Sequence, residues 1–220
     1  MPVSAARGLE GRLGYTITVP DSWYEVDCEP ATRGDAIRRL VEDRVRGTDE
    51  LWEQRHAIAQ VLLEQASRAH EAGATYCAGF AMPTPEGTVS GSVTVSLVMN
   101  AQRQAGEGAV DLRGSFVQVP RDPDDPTEPY AVTSVVDVPG IGDSPRSSGI
   151  EDAQLGDGHF LRNVFMITAV PVDDVDRVFL VALSSPVIAL ADPLLDLFDA
   201  VTSTFRVVRI DADELQGEPA

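Results

Sequence analysis

The sequence predicts an α+β fold, and three features carry that reading. Strand-like alternation appears near the start, two stretches of helical periodicity follow, and a run of alternating segments then ends in one more amphipathic helix. The expected architecture is an antiparallel sheet of about six to seven strands flanked by a helical pair (31–46 and 48–72) and a C-terminal helix (192–204). Residues 1–210 are expected to form a single domain, and 211–220 a disordered acidic tail.

The first strand is read at Tyr15–Val19, with Tyr15, Ile17 and Val19 on one face and two threonines on the other. Pro20 ends it by removing a ladder donor, Asp21 and Ser22 supply turn chemistry, and Trp23 returns apolar area to the core. In 31–46, Ile37, Leu40, Val41, Arg44 and Val45 share one side of a helix, and Gly47 stops it. Thr48 or Asp49 opens the second helix, where Leu51, Ile58, Val61, Leu62, Ala66 and Ala69 form an apolar stripe ending at Gly73.

A hairpin is expected from 74–82 and 88–98. In its second arm Val89, Val93, Val95 and Leu97 oppose Ser90, Ser92, Thr94 and Ser96. Further strands are read at 112–119, 130–138, 161–170 and 177–184, the last two joined by a turn-rich connector. Leu194, Phe198, Val201 and Phe205 lie on one face at the final helix, which leads into a short strand from Phe205 to Ile210. Two segments read as loops: the acidic, proline-stiffened 121–129 and the polar, glycine-rich 139–158.

Composition narrows the function. Of 220 residues, 43% are hydrophobic and 24% charged, which suits a globular chain burying roughly 70% of its unfolded surface. Seventeen basic against 35 acidic residues give a net charge of −18, which disfavours nucleic acid and anionic membrane surfaces as partners. All 17 basic residues are arginine, so Schiff-base, P-loop and general-base lysine chemistry is excluded. With abundant Ala, Gly, Pro and Val, this bias points to a GC-rich genome. No apolar window approaches a membrane span, and the first residues carry no signal-peptide core. Together with two well-separated cysteines, Cys28 and Cys77, this leads to the expectation of a cytoplasmic protein with reduced thiols and no membrane insertion.

The stretches YTITVPDSW and LLDLFDAVTSTFRVVRI together resemble the PsbP-like superfamily, a group spanning a photosystem extrinsic protein, Ran-binding relatives and many bacterial lipoproteins. The shared marks are a strand entering a Pro-x-x-Trp turn and a late amphipathic helix followed by a closing strand. The resemblance implies a sandwich in which Pro20, Trp23, Phe198 and Phe205 are structural, and a non-enzymatic binding or assembly role. It brings no catalytic residues.

Searching for chemistry returns fragments. Gly140-Ile-Gly142 starts a dinucleotide fingerprint but meets Pro145 where the third glycine belongs. His70-Glu71 lacks the second histidine of a zinc motif, and His56 stands about 21 Å from His70 along one helix. His159 reads as a surface residue. Asp122, Asp124 and Asp125 suggest a calcium loop, but Thr127 and Thr133 occupy the required Gly and Glu positions. No catalytic residue, metal or cofactor is therefore assigned. The leading expectation is an accessory module that binds a protein carrying a basic patch, with Asp122, Asp124 and Asp125 as contacts. The alternatives are a hydrolase using a carboxylate pair between 139–158 and the sheet, and a structural subunit of a larger machine such as a secretion apparatus.

Overall fold

The structure is a computed structural model that describes residues 3–9, 13–99, 118–154, 158–172 and 177–209. Its elements, in order, are β1 (Val3–Leu9), β2 (Leu13–Val19), β3 (Tyr24–Glu25), α1 (Arg33–Val45), α2 (Asp49–Glu71), β4 (Ala74–Thr84) and β5 (Gly87–Met99). Then come β6 (Tyr130–Val138), β7 (Gly142–Gln154), β8 (Phe160–Pro171), β9 (Arg177–Ser185), a 3-10 turn (Ile188–Leu190), α3 (Ala191–Thr202) and β10 (Arg206–Arg209). The fold is α+β. A seven-stranded sheet runs β3-β4-β5-β9-β8-β7-β6 and a three-stranded sheet runs β1-β2-β10, with every pairing antiparallel.

Alternation along β4 sorts the two faces of the large sheet. Tyr76, Ala78 and Phe80 join the main core, whereas Cys77 between them joins a second cluster on the opposite side. The main core is closed by β2 and α3. Tyr15 and Ile17 meet Phe179 and Val181 of β9, and Leu194, Phe198 and Val201 cover Val164 and Met166 of β8. The second cluster lies under the helical pair. Ile37, Val41 and Val45 of α1 and Ala66 of α2 pack with Ala74, Cys77 and Cys28, both cysteines being thiols. α1 ends at Val45 with Arg46 as its C-cap, followed by Gly47 with φ of 88°, a conformation that other residues adopt at a cost.

The Pro-Asp-Ser-Trp stretch is a β-turn in which the Trp23 amide donates to the Pro20 carbonyl at 2.9 Å. It turns the chain so that the indole meets Phe80 with ring centres 4.9 Å apart, and Trp23 is left only 5% exposed. Phe198 and Phe205 are both fully buried.

Several expectations need correction. Within the loop expected at 139–158, Gly142–Gln154 is a strand, β7, paired on both sides, and Ser144, Arg146 and Ser147 are buried. β7 reads as a loop because its inward positions are polar and because it holds Pro145 and Gly149. A Cβ on Gly149 would lie 2.0 Å from the Tyr130 carbonyl oxygen, so close strand approach requires glycine there. β1 carries too weak an alternation to be read as a strand. Of the α2 stripe, Ala66 is buried, but Leu51 and Val61 are 44% and 53% exposed, since the helix covers only one end of the sheet. The strand expected at 112–119 lies outside the described residues except for its end, where Val119 bridges Ala131. The tail 211–220 also lies outside them.

Two substitutions test this packing. Trp23→Ala should cost on the order of 3–5 kcal/mol in denaturant melts, as for a buried aromatic in a core. A loss below about 1 kcal/mol would make the indole peripheral. Gly149→Ala should cost roughly 1–3 kcal/mol through overpacking against β6, with an unchanged denaturant slope.

Candidate functional site

The second face of the large sheet carries a cleft. α2 packs on β4, and β4 and β5 present small residues beneath it: Cys77, Gly79, Ser90, Ser92 and Thr94. Strand periodicity puts the three hydroxyls of β5 on one side, while Val93 and Val95 go to the main core. Nothing on this floor is large enough to fill the space between helix and sheet. The result is a hollow of about 430 Å³, within the usual size range of small-molecule sites. Its upper wall is Leu62, Gln65, Ala66 and Ala69 of α2. One end is Tyr24 and Val26, the other Leu161, Asn163, Ser184 and Pro186.

Gly79 and Ser92 face each other across β4 and β5, and a Cβ on Gly79 would lie 2.9 Å from the Gly91 carbonyl oxygen. Ser92 in turn pairs with Ser184 of β9, their hydroxyls 3.3 Å apart. Asn163 donates its amide to the Leu161 carbonyl at 3.2 Å. Tyr24 and Cys77 are the lining groups that can titrate. Burial pushes the Tyr24 phenol above its usual pKa, against the opposing pull of the Arg44 guanidinium, which sits 5.3 Å over its ring. Tyr24 therefore stays protonated at neutral pH. The lining holds no carboxylate, histidine or arginine.

The acidic loop occupies a different place. The Asp122 carboxylate accepts from the Asp124 amide at 2.8 Å. The Asp125 carboxylate accepts from the Thr127 amide at 3.0 Å and its hydroxyl at 2.7 Å. These bonds from Thr127 hold the Asp125 carboxyl below the usual range. The loop is tied down at both ends. Arg121 pairs with Asp192 of α3 at 3.2 Å and lies 5.0 Å from the Tyr130 ring centre. Arg162 donates to the Thr127 carbonyl at 3.2 Å. Asp122, Asp124 and Asp125 all remain exposed.

Two described carboxylates of 139–158, Glu151 and Asp152, lie side by side on β7, and successive strand residues point to opposite faces. Asp152 is gripped by the Arg162 fork at 2.7 and 2.8 Å, which holds its carboxyl low. Glu151 borders a shallow hollow with Tyr130, Phe165 and Ile167, where withdrawal from water pushes its pKa up. Both border that hollow and their pKa values shift in opposite directions, but the Asp152 carboxylate is committed to the Arg162 fork. Among the described residues, no three His, Cys, Asp or Glu side chains gather as metal ligands would. His159 is exposed, and among the described residues no helix is long and apolar enough to cross a membrane.

No family model and no curated protein matches the chain. Among solved structures it is similar to LpqN, described as involved in cell envelope biogenesis of Mycobacterium tuberculosis. The two share 12% identity over 94% of this chain and 91% of that one, with a TM-score of 0.45.

The cleft was not foreseen from sequence, although one signal for it was present. Serine and threonine at every second position of β5, opposite valine, form the floor of a hollow. The charges of β7 generate a test. Glu151 binds its proton more tightly folded than unfolded, so it contributes stability at low pH that is lost as pH rises through its folded pKa. Glu151→Gln should therefore raise the melting temperature near pH 7 by about 1–3 °C and leave it nearly unchanged near pH 4. Asp152→Asn should lower it near pH 7, because Asp152 has the opposite shift. Calorimetry at the two pH values checks both signs.

Proposed function

We propose that this chain is a non-enzymatic binding module that docks another protein as an accessory or assembly factor. The acidic loop of residues 121–129 is its contact element, and the partner presents a basic patch. The observation that carries this reading is the state of the loop. It is exposed and strongly negative, yet folded on itself by the Asp122 and Asp125 turns and anchored through Arg121 and Arg162. A loop already held in one shape loses little entropy on docking, so its charges serve association directly. The resemblance of the chain's two end motifs to the PsbP-like superfamily points the same way. The lining of the cleft also offers no carboxylate or imidazole for general acid–base work.

The test begins with a partner recovered by affinity capture and purified. Raising salt from about 0.05 M to 0.5 M shortens the screening length from roughly 14 Å to about 4 Å, so association should slow on the order of tenfold while dissociation changes little. Changing Asp122, Asp124 and Asp125 together to Asn should reproduce part of that slowing at low salt. Asn keeps the side-chain oxygen that accepts from the turn amides, so the loop and the melting temperature should persist. A rate indifferent both to salt and to the triple substitution would remove the loop from the interface.

A further inference from the structure

We propose that the cleft between α2 and the β4–β5 floor binds an uncharged, largely apolar small molecule that presents hydrogen-bonding groups along one edge. This goes beyond the docking of a protein at the acidic loop and does not depend on it.

Three observations select that class of ligand. The first is charge. In a chain whose residues are 24% charged, the cleft is lined without a single Asp, Glu, Arg or His, which sets it apart from the surrounding surface. An ionised ligand would leave water there and meet no charged group in the lining, a costly exchange. The second is the asymmetry of the walls. The helix side offers Leu62, Ala66 and Ala69, an apolar surface interrupted only by the neutral Gln65 amide. The floor offers Ser90, Ser92 and Thr94, spaced at about 6.8 Å along β5, with Ser184 beside Ser92. Hydroxyls donate and accept equally well, so this lane suits ligand hydroxyl, amide or ether groups. The third is permanence. The space exists because Gly79 cannot gain a side chain without meeting the Gly91 carbonyl, so it is built into the strand pairing. It does not depend on a side chain moving aside.

The experiment uses a matched pair of fluorescent probes, N-phenyl-1-naphthylamine and its 8-sulfonate, which differ by one negative charge. Titrations are run in about 0.5 M salt, where a screening length of roughly 4 Å removes the long-range repulsion of a chain at −18. The neutral probe should bind saturably, one per chain, at least about tenfold more tightly than the sulfonate. Ser92→Trp places a large ring on the exposed floor of a strand that tolerates aromatics, and should weaken the neutral probe about tenfold or more at an unchanged melting temperature. Amide resonances of the unmodified chain supply a second readout that needs no variant. Shifts on adding the neutral probe should centre on Gly79, Ser92, Thr94 and Ser184. The proposal is overturned if neither probe saturates, or if the sulfonate binds as well as the neutral probe. It is equally overturned if the shifts map away from the cleft. Should the tryptophan variant melt early, the resonance map decides alone.

Discussion

Three aromatic rings hold the two sheets together. Tyr15 of β2, Phe179 of β9 and Phe205, just before β10, lie with centres 5.3 to 5.6 Å apart, two of the three contacts edge-on. Each ring is fully buried, and each comes from a different part of the chain. The contact fixes where the small sheet crosses the large one, a geometry in which offset and edge-on pairs are favoured. Thr204 locks the same junction, its hydroxyl accepting from the Thr18 amide at 2.8 Å and donating to the Val201 carbonyl of α3 at 2.7 Å. With one face of the large sheet closed by β2 and α3, α1 and α2 pack on the opposite face. The cleft arises there because the pair covers the β4 end while the strand floor beside it bears only small side chains.

Beside this apolar junction, β7 introduces a buried charge. The Arg146 side chain points toward α3, donating to the Thr168 hydroxyl at 3.0 Å and to the Asp199 carboxylate. Such a group is tolerated only where its donors are met, since removing the partner leaves a charge stranded away from water. Asp199 is more than half exposed, so one end of the pair stays hydrated while the other anchors α3 over the sheet. Position, more than net stability, is what such a pair supplies. It sets the helix whose Leu194, Phe198 and Val201 seal the core.

This polar strand also marks how far the fold could be read in advance. β2 was legible because Tyr15, Ile17 and Val19 bury one face in clean alternation, and the two helices were legible from their periodicity and their stops at Gly47 and Gly73. β7 was not. Arg146 is satisfied by Thr168 and Asp199, 22 and 53 residues away in sequence, and local pattern cannot reveal a distant partner. The same holds for the cleft, assembled from α2, β3, β4, β5, β8 and β9. Its floor consists of residues too small and too neutral to stand out along a chain. The acidic loop, by contrast, announced itself through composition, whereas its internal turns and its arginine anchors emerged only in three dimensions.

The pairing of β10 with β2 has a bearing on biosynthesis. Thr18 and Thr204 are 186 residues apart, yet they bond directly, and β10 lies alongside β2 from Leu13 to Thr16. At a synthesis rate of about 5–20 residues per second, β2 leaves the ribosome roughly 10 to 40 seconds before its partner exists. Throughout that interval Tyr15, Ile17 and Val19 have no Phe179 or Phe205 to cover them. The nascent chain thus carries a sticky apolar strand until β10 has emerged, and its core cannot close before then. A chaperone that shields early strands would have its natural substrate here.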